Sequence, residues 1–204
     1  FNPALLGRAF LMATFPLPMT SGWIVPRPTL LAPLDAVTTA TPLAIMKEHG
    51  LAAAMQGIAT PLGAWNGLLL GFRPGSIGEV SMLLVALGAG ALLARRIITL
   101  HIPLAVLAGV ALSTLHTGVT GLHLASGGLW LGAFYMATDY VTSPSARGGQ
   151  VAFGLLVGLL TGVIRVYGGY PEGICYAILI ANALAPAFDL WFRPKRPLLA
   201  GSPS

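Results

Sequence analysis

The sequence predicts an all-α fold, a polytopic membrane helical bundle with about six transmembrane helices and one long outward-facing segment. Of its 204 residues, 55% are hydrophobic and only 8% are charged, and the mean hydropathy of +0.81 lies outside the usual range of soluble domains. Several stretches reach the roughly 20 apolar residues that cross a bilayer. The 26 glycines fit this class, because small residues let membrane helices pack closely. We therefore expect residues 1–204 to form a single integral membrane domain.

Six apolar stretches are predicted to span the membrane. They occupy residues 3–17, 77–94, 102–115, 119–137, 151–167 and 173–192. The first and third are short for a span, which predicts tilted neighbours or a truncated first segment. The chain starts at Phe1 without the charged n-region and cleavage site of a signal peptide, so we expect it to be a fragment.

A more polar segment, residues 18–76, separates the first two predicted spans. Prolines mark turns in it, and a short amphipathic helix is predicted near 44–59. Cytoplasmic loops carry an excess of Lys and Arg. Six of the eleven basic residues would lie on one side of alternating spans, namely Arg95, Arg96, Arg147, Arg193, Lys195 and Arg196. That side is predicted to be cytoplasmic, so the segment 18–76 should face outward.

The stretch DAVTTATPL concentrates polar residues within this outward segment. Thr41 followed by proline is typical of a helix start, with a hydroxyl N-cap and proline at the first helical position. That structural role leaves Asp35, Thr38 and Thr39 unexplained. We infer that the stretch also binds a polar group.

The same nine residues resemble the flavinylation motif D-x-x-[ST]-x-A-[TS] of the RnfD/NqrB family of membrane subunits. Asp35 matches the acid, Thr38 the first hydroxyl residue and Ala40 the alanine. Thr41 matches the acceptor, which in that family carries FMN through a phosphoester bond. The family usually has glycine where this chain has Thr39, a departure that adds bulk beside the acceptor. The resemblance thus implies covalent FMN on Thr41.

Further stretches extend the resemblance along most of the chain. They are FNPALLG at 1–7, PGSIGEVS at 74–81, MATDYVTSP at 136–144 and YPEGICYAILIANALAPAFD at 170–189. YGGYPEG and LWFRPK resemble the RnfD branch more than the branch of the sodium-pumping quinone reductase. Because FNPA falls well inside family members, several N-terminal spans are expected to be missing from this chain.

The resemblance implies a membrane flavoprotein subunit that relays electrons in an Rnf-type complex, which couples electron exchange between ferredoxin and NADH to H⁺ or Na⁺ translocation. The chain would be part of an oxidoreductase and not a complete enzyme, since the sequence lacks a G-x-G-x-x-G fingerprint for NADH. Expected partners are the other Rnf subunits, both the membrane subunits and the FMN-bearing periplasmic ones, together with an FAD-dependent FMN transferase. The segment 18–76 would then face the periplasm of a bacterial inner membrane, with a cytoplasmic C-terminus. Whether a noncovalent riboflavin also binds is left open. The net charge of +5 is small for nucleic-acid binding, so no nucleic-acid partner is expected.

Three alternatives stay open. Within the family, the chain could be an NqrB-like subunit of a sodium-translocating NADH:quinone reductase. Outside it, the polar segment could line the entrance of a non-redox transporter or channel, or the bundle could simply hold other subunits. The last two predict a colourless polypeptide.

A flavin phosphodiester keeps a negative charge, so cationic side chains or backbone N–H groups are expected near it. Arg27, Lys47 and Arg73 are the outward cations. The GSIGE turn at 75–79 could present amides to the cofactor, or it could merely begin a helix. No residue is predicted to be catalytic or to bind a metal. The predicted cofactor-binding residues are Thr41 (covalent), Asp35, Thr38, Thr39, Arg73, Ser76, Gly78 and Glu79.

Other polar or small residues receive structural interpretations. We expect Arg165 to pair with Glu172 across the intervening turn, and Asp139 to cap a loop. The histidines at 116 and 123 are expected to bond backbone rather than haem, and Cys175 to pack as a small apolar residue. A stripe of Gly154, Gly158 and Gly162 at spacing four predicts close helix packing.

Overall fold

The computed structural model describes residues 1–24, 38–56, 58, 63–170 and 172–192. It is almost entirely helical. In chain order the helices are α1 (Pro3–Thr14), α2 (Pro16–Thr20), α3 (Pro42–Gln56), α4 (Ala64–Leu70), α5 (Met82–Ala94), α6 (His101–Thr114), α7 (Thr120–Ala125), α8 (Leu129–Leu131), α9 (Arg147–Tyr167) and α10 (Ile174–Trp191). A 3₁₀ turn, Leu115–Thr117, follows α6, and a π turn, Gly132–Met136, follows α8. Two short strands, β1 (Trp23–Ile24) and β2 (Thr38–Thr39), pair antiparallel.

The predicted all-α class is confirmed, whereas the count of about six spans is not. Among the described residues, α9 with 21 residues and α10 with 18 are long and apolar enough to cross a membrane. Helices α5 and α6 are apolar but shorter. Helix α1 has 12 residues and ends at Thr14, and after Phe15 a separate short helix begins at Pro16.

Helix α9 packs most closely against α6, and its glycine stripe makes this contact. A Cβ atom on Gly154 would lie 2.7 Å from the carbonyl oxygen of Ile102. A Cβ atom on Gly158 would meet the α6 backbone, and one on Gly162 would meet Ser113. Backbone atoms cannot move aside as a side chain can, so these positions require the smallest residue. The stripe is confirmed as a packing surface.

The fourth predicted span, 119–137, is broken in the structure. Helix α7 ends at Ala125, Ser126 is extended, and Gly127 has φ of +68°. This conformation favours glycine, and a Cβ atom there would lie 2.9 Å from the Arg165 guanidinium. The chain then continues through α8 and the π turn to residue 136. A single-span prediction was wrong because the Ser-Gly-Gly sequence lets polar side chains from elsewhere enter between two helical pieces.

The structure also shows where two of the predicted helices begin. The second predicted span begins at Met82 instead of residue 77, with Ser81 as N-cap accepting a hydrogen bond from the Leu84 N–H at 3.3 Å. The predicted helix at 44–59 is α3, and it is interrupted at Gly50, where φ is 86°. At its start the Ala44 N–H donates to Thr41 Oγ1 at 3.4 Å. Thr41 is therefore an N-cap, as predicted.

Candidate functional site

A buried charged cluster lies at the end of the bundle where α9 ends and α10 begins. Arg8 of α1 reaches both acidic residues there: its guanidinium lies 3.3 Å from Glu79 and 2.6 Å from Glu172. Glu79 and Glu172 are only 5% and 7% exposed. Burial and the neighbouring Glu79 carboxylate raise the pKa of Glu172 to about 7, against the opposing effect of Arg8 and Arg165. The predicted Arg165–Glu172 pair was wrong, because Arg8 is the ion-pair partner of Glu172.

Arg165 instead holds the broken helix. Its guanidinium donates to the carbonyl of His123 and, at 3.2 Å, to the carbonyl of Ser126. Interrupting a helix frees backbone carbonyls, and without water these must find other donors. Arg165 is 3% exposed and supplies those donors from α9. The break and the buried arginine therefore stabilise one another.

Arg73 is a second clamp on the same break. It donates to the carbonyls of Ala125 at 3.3 Å and Gly127 at 3.4 Å. It also donates to the carbonyls of Glu79 at 2.6 Å and Val80 at 2.8 Å. Burial lowers the pKa of Arg73 below its usual value, and the two nearby carboxylates oppose that shift. Arg73 thus ties the 74–80 turn to the helix break, and its predicted contact with a flavin phosphate stays a prediction.

Thr41 lies beside this cluster. It is 5% exposed and lines a small cavity with Arg73, Glu79, Gly127 and Glu172. The cavity has a volume of about 10 Å³, which is room for about one water molecule. Of the predicted site residues, the structure therefore brings Thr41, Arg73 and Glu79 together. A flavin joined to Thr41 would have to place its ring elsewhere.

The other predicted site residues lie around this group. Thr39 pairs with Trp23 across the two-stranded ladder, and both Thr39 Oγ1 and Trp23 Nε1 are buried without a partner in the described structure. Thr38 belongs to β2. Ser76 and Gly78 lie in the turn before α5, where the Ser76 carbonyl accepts a hydrogen bond from the Glu79 N–H at 3.0 Å. Asp35 and the candidate cation Arg27 lie outside the described residues.

A larger cavity, of about 290 Å³, lies farther along α3. It is lined by Met46, Lys47, Leu51, Thr117, Val119, His123, Arg165 and Val166. The Lys47 ammonium donates to the carbonyls of Arg165 and Gly168 and so caps the end of α9. Three buried side-chain atoms at the helix break lack a partner in the described structure: His123 Nδ1, Ser126 Oγ and Arg165 Nε.

A third cavity, of about 570 Å³, has an almost wholly apolar lining. Trp65 and Trp130 lie in its wall, together with residues of α5, α6 and α7. The Trp130 indole N–H is already bonded to the Leu124 carbonyl at 3.0 Å. The lining of this cavity therefore offers few hydrogen-bonding groups to a polar ligand.

The sequence analysis missed Arg8, which joins both buried carboxylates. An arginine in the middle of the first apolar stretch was the available signal, because a charge in such a segment is costly unless it is partnered. Other structural interpretations hold. Asp139 accepts from the Val141 N–H at 3.3 Å and the Thr142 hydroxyl at 3.1 Å, as a loop cap does, and Cys175 is buried at 2% exposure.

Comparison with known proteins identifies the chain. The sequence model of the NQR2, RnfD, RnfE family matches residues 1–197. The chain belongs to this family. The family membership that the sequence motifs predicted is thereby confirmed.

Individual relatives come from two kinds of complex. The chain is 41% identical to the D subunit of the proton-translocating ferredoxin:NAD(+) oxidoreductase complex of Clostridium ljungdahlii, covering 96% of this chain and 60% of the relative. It is 41% identical to the D subunit of the Na(+)-translocating ferredoxin:NAD(+) oxidoreductase complex of Acetobacterium woodii, covering 95% and 58%. It is 37% identical to the B subunit of the Na(+)-translocating NADH-quinone reductase of Chromohalobacter salexigens, covering 94% and 47%. The chain thus spans about three fifths of its ferredoxin:NAD relatives.

Proposed function

We propose that this chain carries FMN on Thr41 and relays electrons as a membrane subunit of an Rnf-type complex that couples ferredoxin:NAD electron transfer to H⁺ or Na⁺ translocation. The observation that carries the proposal is the position of Thr41. The last residue of the motif that resembles the flavinylation motif lies at the start of α3 and lines a small cavity with the buried Arg73, Glu79 and Glu172. Family relatives named as D subunits of such complexes support the assignment of the complex.

The charges around Thr41 fit a bound phosphodiester. Three guanidinium groups, of Arg8, Arg73 and Arg165, lie near two carboxylates, of Glu79 and Glu172, so the cluster keeps at least one positive charge, and more when Glu172, whose pKa is raised to about 7, is protonated. A phosphodiester on the Thr41 hydroxyl would add one negative charge next to them and offset that positive charge. The start of a helix also favours an anion there.

FMN, when bound, supplies transfer of one or two electrons. The residues of this chain would anchor and orient it. Thr41 would hold the phosphate at a fixed point, because it begins α3 and its neighbours are buried. Arg73 and Arg165 would keep the two halves of the broken helix in place beside it, through the backbone carbonyls that they bind.

The remaining parts of the proposal concern the assembly. We infer that the Thr41 end of the bundle faces the periplasm of a bacterial inner membrane, where an FAD-dependent FMN transferase would load it. Partners would be the other Rnf subunits, both the membrane subunits and the FMN-bearing periplasmic ones. The match to the B subunit of a quinone reductase favours one second candidate, an NqrB-like role in a sodium-translocating NADH:quinone reductase.

The experiment is in-gel flavin fluorescence of the denatured subunit, purified within its complex from a host that has the transferase. We expect a fluorescent band for the unaltered protein and for Thr39→Val, and a dark band for Thr41→Val. Mass spectrometry of the peptide containing residue 41 checks that the added mass is that of FMN. An unmodified peptide in native material would refute the proposal and favour a colourless transporter or structural bundle.

A further inference from the structure

Thr41 is almost closed off from solvent in the structure. It is 5% exposed, and its Oγ1 accepts a hydrogen bond from the Ala44 N–H at 3.4 Å. The cavity that it lines has a volume of about 10 Å³, which is room for about one water molecule. Residues of the 73–80 turn, Gly127 and Glu172 form the rest of the wall. The acceptor of the proposed modification is therefore out of reach of an enzyme in this arrangement.

Attachment of FMN needs much more space than one water molecule. In the transfer, Thr41 Oγ1 forms a bond to the phosphorus on the riboflavin side of FAD, and the bond from that phosphorus to the bridging oxygen of the pyrophosphate breaks. AMP leaves with the bridging oxygen, and the hydroxyl proton passes to a base of the transferase. The oxygen has to come within about 3–3.5 Å of the phosphorus and in line with the bond that breaks. The closed cavity excludes this approach.

The 73–80 turn is the more firmly held side of the cavity. Arg73, which begins the turn, is 3% exposed and donates to four backbone carbonyls, two in the turn and two at the helix break. Hydrogen bonds from a charged donor are about twice as strong as neutral ones. The turn is therefore not the side that opens.

The start of α3, residues 41–49, is held by contacts that can separate. Leu43 is 3% exposed and packs against the helix break. Ile45 and Met46 are only partly buried, against a small apolar cluster. The Lys47 ammonium donates to two backbone carbonyls at the end of α9. Among the described helices, none packs along α3 as α9 packs along α6.

Gly50 supplies a hinge for this part of the chain. Its φ of 86° interrupts α3, so residues 42–49 form a helical piece of their own. A Cβ atom on Gly50 would meet nothing within 4 Å, so the surrounding described residues leave its backbone free to rotate. The second piece of α3 is anchored beyond the hinge, because Ala54 is fully buried.

We propose that the transferase acts on an open state in which residues 41–49 have rotated about Gly50 away from the helix break, so that FMN is attached before this piece docks. The inference rests on the proposed function, since it concerns FMN on Thr41. In this order of events, the loading rate depends on the fraction of molecules in the open state. A docking contact that does not touch Thr41 then controls loading, and Lys47, six residues or about 9 Å farther along the helix, provides one.

The first test measures the loading rate of the complex made in a host without the transferase. Purified transferase and FAD are added, and in-gel flavin fluorescence of this subunit is followed against time. Lys47→Met keeps the aliphatic stem and removes the hydrogen bonds of the ammonium to the end of α9. Losing hydrogen bonds from a charged donor at this exposed position should favour the open state about tenfold. We expect the loading rate to rise by the same factor.

Glu48→Gln is the matched control. Glu48 lies in the same helical piece, its side chain is 71% exposed, and its carboxylate lies 3.8 Å from His49 of that piece. Removing its charge changes the surface near the motif but no contact with the helix break or α9, so the loading rate should stay that of the unaltered protein. An unchanged rate in Lys47→Met, or an equal rise in Glu48→Gln, would overturn the inference.

Thiol labelling provides a second measurement, without the transferase. The complex carries Thr41→Cys in a Cys175→Ala background, and its reaction with a maleimide is timed. We expect it to react more than about tenfold more slowly than Ile77→Cys, which lies at a 98% exposed position, because access to residue 41 needs local opening. Adding Lys47→Met should raise the rate about tenfold.

Equal labelling rates at residues 41 and 77, or no effect of Lys47→Met on labelling, would overturn the open-state requirement while leaving FMN on Thr41 intact. Labelling as expected in a protein whose Thr41 peptide never acquires FMN would refute the proposed function instead. The two failures are therefore distinguishable.

Discussion

Replacing Gly109 by alanine tests the contact between α6 and α9 that sets the position of Arg165. A Cβ atom at residue 109 would lie 2.8 Å from the Leu155 carbonyl oxygen, 2.9 Å from Gly158 Cα and 2.9 Å from the Leu159 nitrogen. All three are backbone atoms of α9. Ordinary contact begins at 3.4 Å, so the two helices would have to separate by about 0.5 Å at this point.

The expected cost follows from two opposing effects. Overpacking of this kind costs about 1–3 kcal/mol, while replacing a helical glycine by alanine gains about 0.5–1 kcal/mol. We therefore expect Gly109→Ala to lower the free energy of unfolding by about 1–2 kcal/mol, or the Tm by about 2–8 °C for a domain of this size. The assay is thermal unfolding of the complex in detergent, followed on this subunit.

Gly90→Ala is the matched control. Gly90 also lies inside an apolar helix, but a Cβ atom there would meet nothing within 4 Å. The propensity gain should then appear alone, and the Tm should stay equal or rise. A Gly109→Ala protein as stable as the Gly90→Ala protein would refute the close-packing interpretation of the glycine stripe.

Three further predictions concern the charged cluster and its side of the membrane. Arg8→Met leaves Glu79 and Glu172 buried without their ion-pair partner and should destabilise the subunit by about 3 kcal/mol, measured by thermal unfolding. Adding Glu172→Gln to this variant should restore part of the lost stability. A double variant with no recovered stability would contradict an ion pair shared by Arg8 and Glu172. The raised pKa of Glu172 means that the folded state binds its proton more tightly, so stability should fall as pH rises from 4.5 to about 7, by up to about 3 kcal/mol. The dependence of the Tm on pH over this range should flatten in Glu172→Gln. An unchanged slope would show that Glu172 is not the titrating group. Ile77, 98% exposed in the turn before α5, should react as Ile77→Cys with an impermeant maleimide from the periplasmic side in a Cys175→Ala background, whereas labelling from the cytoplasmic side would reverse the proposed orientation.

Much of the helical framework was predictable because apolar runs report directly on burial in lipid or protein. The last two spans, the glycine stripe and the Thr41 cap each depend on local sequence, and each was found where expected. The predicted fourth span failed for the opposite reason. Hydropathy cannot detect that Arg73 and Arg165, 52 and 39 positions away along the chain from the carbonyls they bind, stabilise a broken helix.

The candidate site shows the same division. The sequence alone determined the helical class and the family, because composition and short motifs are read directly from the chain, and its resemblance to that family predicts Thr41 as the flavin acceptor, which stays a prediction. Only the tertiary structure decided that Arg8 from α1 is the partner of both carboxylates, and that His123, Ser126 and Arg165 each leave a buried polar atom without a partner in the described structure. Ion pairs and cavities depend on which elements meet, and contacts between α1, α7, α9 and the turn before α5 are set by packing across the whole bundle.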